Sequence, residues 1–182
     1  MKAMKTRMAA LAAAALVGAA VGLHPATGQG PTSALRGHNT NAPVDVAADR
    51  IEVQDRADRA IFSGNVQVRQ AELTLNAARL TVAYSDAGGI QIQRLDASGG
   101  VTLRSPSETA RGQFAVYDLN DRIITLVGGV TLTRGDSRVQ GGRLVLDLNS
   151  GRAVMDGGGP AGTAQSDSGR VTGTFTVPQR DN

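Results

Sequence analysis

Few side chains in this sequence have the types and spacing that chemistry requires. His38 is the only histidine beyond His24, and there is no cysteine. A Ser-His-Asp or Cys-His nucleophile needs an imidazole base beside it, and a zinc set needs several Cys or His ligands. Neither can be assembled, and no metal or cofactor is expected. Two carboxylate pairs, Asp45/Asp49 and Asp55/Asp58, raise the question of a glycosidase acid and base. Each lies near Arg50, Arg56 or Arg59, which is the pattern of a salt-bridged surface. Gly88-Gly89 and Gly157-Gly158-Gly159 are glycine-rich, yet neither follows a strand-then-helix pattern nor precedes the Lys-Ser/Thr of a phosphate-cradling loop. The residues therefore point to a binding or structural protein, not an enzyme.

What the residues do specify is a scaffold. Apolar positions alternate at Val44/Val46, Ile51/Val53, Val66/Val68, Leu73/Leu75, Leu80/Val82, Ile90/Ile92, Val101/Leu103, Phe114/Val116, Val130/Leu132, Leu144/Leu146 and Phe175/Val177. Turn residues recur about every 8 to 12 positions, which is the all-β signature. A degenerate repeat underlies it. Ser63-Gly64-Asn65-Val66 aligns with Ser98-Gly99-Gly100-Val101 and with Val127-Gly128-Gly129-Val130, and each is followed by a second motif centred on Leu80, Phe114 or Leu144. The glycines before Val66, Val101 and Val130 are expected to serve tight turns that need positive φ. Each unit has one apolar face that it cannot bury alone, so stacked units form two facing sheets. Alternation places Val66, Val68, Leu80, Val82, Leu103, Phe114, Val116, Leu144 and Leu146 on the internal face, and Tyr117 on the opposite parity.

Such a stack has two open edges. Val44 and Val46 mark the first, and Phe175, Thr176 and Val177 the last, bracketed by Pro43 and Pro178. Unpaired backbone groups along an edge are a template for another chain, and proline limits how far the pairing runs.

Of the chain's 182 residues, Lys2, Lys5 and Arg7 precede an apolar run from Met8 to Leu23. That run is shorter than the roughly 20 residues that span a bilayer, and small residues and Pro25 follow it. Residues 1–28 are read as a secretory signal peptide, residues 29–42 as a flexible polar arm, 43–178 as the β domain and 179–182 as a tail. Those three basic residues account for the whole formal charge of +3. No run of Lys or Arg remains beyond them, and only five aromatics are present, so nucleic acid is not an expected partner.

The leader, Pro43-Val44-Asp45-Val46, Ala48-Asp49-Arg50, Phe62-Ser63-Gly64-Asn65-Val66, Leu75-Asn76-Ala77-Ala78-Arg79-Leu80, Leu126-Val127-Gly128-Gly129-Val130 and Phe175-Thr176-Val177-Pro178 together resemble the OstA-like family of periplasmic lipopolysaccharide-transport proteins. The resemblance covers residues 43–178. It implies a twisted, partly open β-jellyroll of many short antiparallel strands. It also implies an apolar groove for the acyl chains of lipopolysaccharide, and periplasmic head-to-tail assembly that carries the lipid from the inner to the outer membrane. Partners would be lipopolysaccharide, further copies of the chain, and inner- and outer-membrane transport components of the same fold. Tyr117 becomes a contact at the groove mouth. Three other readings stay open: a membrane-anchored component of the same pathway, a β-solenoid enzyme acting on polysaccharide, and a structural repeat protein with a filled core.

Overall fold

The computed structural model describes residues 35, 37–86, 88–158 and 169–176. The expected signal peptide, the tail, and Val177 and Pro178 of the expected last strand lie outside them. Ten strands make one antiparallel sheet: β1 (Val44–Ala47), β2 (Arg50–Gln54), β3 (Arg59–Gln70), β4 (Leu73–Ser85), β5 (Gln91–Arg104), β6 (Glu108–Asp118), β7 (Ile123–Arg134), β8 (Ser137–Asp147), β9 (Arg152–Asp156) and β10 (Thr172–Thr174). A 3-10 turn, Asp55–Ala57, is the one helical element among the described residues. None of their helices is long and apolar enough to cross a membrane.

β3 to β8 pair with their sequence neighbours in unbroken succession, while β1 and β2 both pair with β3, and β9 and β10 both pair with β8. The reason is a crease. Gly64-Asn65, Gly99-Gly100 and Gly128-Gly129 are consecutive positive-φ residues, and they sit inside β3, β5 and β7 rather than at turns between strands. The expectation of positive φ holds; that of tight turns does not. Two left-handed residues in succession cost an ordinary side chain about 1–2 kcal/mol each, so glycine fills five of these six positions. Asn65, the exception, ties its side-chain amide to Asp49 at 2.8 Å.

The pairing register shifts at the same level across the whole sheet, at Ser63/Val66, Asn76/Arg79, Ser98/Val101, Arg111/Phe114 and Val127/Val130. Bulges of this kind bend a strand and increase its twist. Aligned across neighbouring strands, they fold one sheet into two facing halves. The first half holds β2, residues 59–63, 79–85, 91–98, 114–118, 123–127 and 143–147, and β9. The second holds β1, residues 66–70, 73–77, 101–104, 108–111, 130–134 and 137–141, and β10. The all-β, twisted, partly open jellyroll of two facing layers is therefore the observed architecture.

The crease corrects three placements. Along β6, Glu108 and Ala110 point inward, but beyond the bulge so do Ala115 and Tyr117. One inserted residue exchanges the faces of everything after it. Phe114, expected inside, is 52 % exposed on the outer face, and Val116 lies on that face with it. Tyr117, expected on the opposite parity from the interior, is buried. The last strand is also shorter and earlier than expected. Thr172–Thr174 pair with Arg138–Gln140, whereas Phe175 and Thr176 follow the strand and Phe175 is exposed.

Candidate functional site

Between the halves lies one continuous apolar cluster. Leu80, Leu126, Val130 and Leu144 are fully buried, with Val66, Val101, Ile124 and Leu146 almost so. Val68, Val82, Leu103 and Tyr117 complete the set of candidate groove residues that the fold brings together. Val44 and Val46 on β1 pack against the same cluster and are only half-buried. Leu73, Leu75, Leu95, Leu126 and Ile124 belong to this interior too, beyond the residues expected on the internal face. Their signal was present in the alternation, but runs such as Leu95-Asp96-Ala97 carry too little apolar contrast to stand out.

The interior is nearly full. A void of about 20 Å³ lies among Val68, Leu75, Leu95, Leu103, Tyr117 and Ile124. Another of about 10 Å³ lies among Leu35, Leu73, Leu103, Ala110, Leu132 and Leu146, with Ser105 and Glu108 also lining it. Each is room for about one water. Larger space, about 210 Å³, opens at the mouth beside Leu35, His38, Asn39, Glu72, Leu73, Ser105 and Pro106.

Among the described residues, two polar side chains are buried in this apolar setting, Glu108, which pairs with Arg134 at 3.7 Å, and Gln70. Gln70 occupies the inward parity of Val66 and Val68 and is 3 % exposed. Its Oε1 accepts from the Tyr117 hydroxyl at 3.0 Å and lies 3.2 Å from His38 Nε2. Its Nε2 donates to the carbonyls of Thr40 and Ala42, both at 3.0 Å. Two lone pairs and two N–H groups are thus all used, as burial of an amide requires. The two carbonyls fix the amide's orientation, and the acceptor facing His38 makes Nε2 its protonated ring nitrogen. Burial pushes the Tyr117 phenol above its ordinary pKa of 10.0, against the opposing influence of the Gln70 hydrogen bond and the Arg122 charge. Tyr117 lies in the first half-sheet and Gln70 in the second, so this bond ties the two halves together.

Polar chemistry elsewhere is local. Tyr84 is raised by desolvation and by the nearby charges of Asp55, Asp58 and Asp86. Asp147 is lowered because the Ser150 hydroxyl and backbone N–H both donate to it. Asp49 accepts from Asn65, and no group of three metal-ligating side chains occurs among the described residues.

Both ends of the sheet present apolar side chains to solvent. Ile51 and Val53 on β2 are 55 % and 56 % exposed, and Phe175 is 65 % exposed. Among the described residues, the outer sides of β1 and β2 at one end and of β9 and β10 at the other carry no further strand.

Residues 45–152 match the family described as LptA/(LptD N-terminal domain) LPS transport protein. An uncharacterised protein of Rhizobium meliloti (strain 1021) is 31 % identical over 159 residues, covering 82 % of this chain and 86 % of that protein. Among solved structures, LptH of Pseudomonas aeruginosa, described as the LptA-homologous periplasmic component of the lipopolysaccharide transport device, superposes with a TM-score of 0.66 at 18 % identity. That superposition covers 77 % of this chain and 99 % of that one.

Proposed function

Since the chain belongs to the LptA/LptD-N-terminal-domain family of lipopolysaccharide-transport proteins, we propose that it is a periplasmic, non-catalytic carrier. In this reading its interior receives the acyl chains of lipopolysaccharide, and its copies join head to tail between the inner and outer membranes. The leader at residues 1–28 would export it and be removed. The observation that carries this reading is an unbroken apolar interior between two half-sheets, with a sheet edge at each end.

The energetics favour a conduit over a soluble shuttle. Each CH₂ withdrawn from water contributes roughly 0.8 kcal/mol, so one acyl chain of about a dozen carbons contributes up to roughly 10 kcal/mol. Several such chains would leave for water far too slowly to be useful. Passage from one interior directly into the next avoids that step. Strand addition at β1/β2 and β9/β10 would align neighbouring interiors, with backbone hydrogen bonds supplying affinity. The two ends differ in sequence, so the contact is heterologous and open-ended unless its rotation closes a ring.

Photocrosslinking in cells tests the assignment. A photoreactive residue at Leu103, which is 3 % exposed inside, should yield a lipopolysaccharide adduct, while one at Phe114 on the outer face should not. Equal adducts at both positions, or none at Leu103, would reject the interior as the lipid path.

A further inference from the structure

The mouth of the interior is occupied by the chain itself. Leu35, nine residues before the first strand residue that pairs, is 5 % exposed and belongs to the central cluster. It sits between the half-sheets, against Leu73, Leu103 and Leu132 of the second half and Leu146 of the first. From there the chain turns, with the His38 N–H bonded to the Leu35 carbonyl at 3.0 Å. It then crosses the opening. On the second half-sheet it is held by Gln70, which contacts His38, Thr40 and Ala42. On the first, the Arg122 guanidinium donates to Asn41 Oδ1 at 3.4 Å and to Asn149 Oδ1 at 3.2 Å.

We propose that Leu35 and residues 37–42 form a strap whose Leu35 side chain fills the seat of an acyl-chain end, so that strap and lipid occupy the mouth in turn, with Gln70 as the latch. This rests on the carrier reading above and adds its regulation.

Three features converge on it. The seat is lined mainly by Leu73, Leu103, Ala110, Leu132 and Leu146, which suits a hydrocarbon end; Ser105 and Glu108 share the lining, the Glu108 carboxylate being paired with Arg134 at 3.7 Å. The voids within the cluster are about 20 Å³ and 10 Å³, and the larger space of about 210 Å³ beside Leu35 lies at the mouth, so a chain entering beyond the mouth must displace something, and Leu35 fills that place. The latch is polar and reversible. Gln70 can exchange its strap carbonyls and His38 for water once the mouth opens, without leaving an unsatisfied group behind. A protein whose competent form is a minor fraction binds with an affinity reduced by that fraction, so the strap would set how readily lipid enters.

The test uses the mature chain and a fluorescent long-chain fatty acid as probe, with amide hydrogen exchange over residues 38–42 as a second readout. Leu35→Asp should leave the seat. If the closed form is about nine-tenths populated, probe affinity should rise about tenfold, and the 38–42 amides should lose protection. Gln70→Leu, which keeps the position filled and removes the latch, should move both readouts the same way and guards against a variant that fails to fold. Saturating probe should deprotect the same amides in the unmodified chain. Probe binding with unchanged affinity in both variants, and with the strap amides still protected, overturns the strap while leaving the carrier reading intact. No probe binding by any variant, including one beginning at Pro43, overturns both.

Discussion

The crease can be tested one methyl group at a time. Gly99 and Gly100 are adjacent, with φ of +84° and +83°. An alanine at either position pays the same kind of backbone strain, about 1–3 kcal/mol for a non-glycine residue in a sparsely populated region. Their surroundings differ. A Cβ at Gly100 meets nothing within 4 Å, whereas one at Gly99 would lie 2.6 Å from the Cβ of Ala78 on β4. Carbon contacts are optimal at about 3.5–4.0 Å, so the two methyls overlap by about 1 Å, and overpacking of that kind costs about 1–3 kcal/mol. Gly100→Ala should therefore lose about 1–3 kcal/mol and Gly99→Ala a further 1–3 kcal/mol or so. Ala78→Gly should restore that extra loss in the Gly99→Ala background and nothing in the Gly100→Ala background. Urea unfolding of the three single and two double variants gives the coupling energy directly. For a domain of this size each kcal/mol also moves the melting temperature by about 2–4 °C. Equal losses at the two glycines, with no rescue by Ala78→Gly, would mean that β4 and β5 do not meet at the crease as described.

Two further outcomes follow from the site. Tyr117 holds its proton more tightly in the folded chain than in the unfolded one, so its contribution to stability is complete below about pH 10 and is lost as pH rises through its raised pKa. Alkaline unfolding curves should therefore fall above pH 10, and Tyr117→Phe should flatten that fall, while at neutral pH it removes the bond to Gln70 at a cost of about 1 kcal/mol; a variant with the full alkaline loss would assign the effect elsewhere. Truncation after Gly169 removes β10 and should weaken self-association in sedimentation runs at several concentrations while sparing most of the β-sheet circular dichroism signal; undiminished association would exclude β10 as a docking edge.

The alternation made the class of fold legible because most strands keep one apolar and one polar face, as Val66-Gln67-Val68 and Val101-Thr102-Leu103 do. It misled at Phe114-Ala115-Val116-Tyr117, where both parities are apolar and only the position of the bulge at Gly112-Gln113 decides which one faces inward. Bulges are backbone events. The glycine pairs announced positive φ, but a positive-φ pair inside a strand and one at a turn look the same in sequence. The strap was hidden for another reason. Leu35 is a lone apolar residue among Gly, Ser, Asn and Thr, and no periodicity marks it. Its burial depends on Gln70, whose polar side chain in an inward slot was the one local clue.

Because every strand from β3 to β8 pairs with its sequence neighbour, the sheet grows by repetition of a single operation, the laying of one more hairpin arm onto the last. Such a chain has short-range pairings and no buried central strand that must wait for distant partners, which favours rapid, stepwise propagation. It also leaves both ends of the ladder without a further strand among the described residues. Nothing in the ladder distinguishes β9 from whatever might be laid beyond it, and the crease repeats at every strand from β3 to β8. A strand arriving from outside would meet the same bent template as one arriving from within, and polymerisation of this protein would be its own folding reaction continued past the end of the chain.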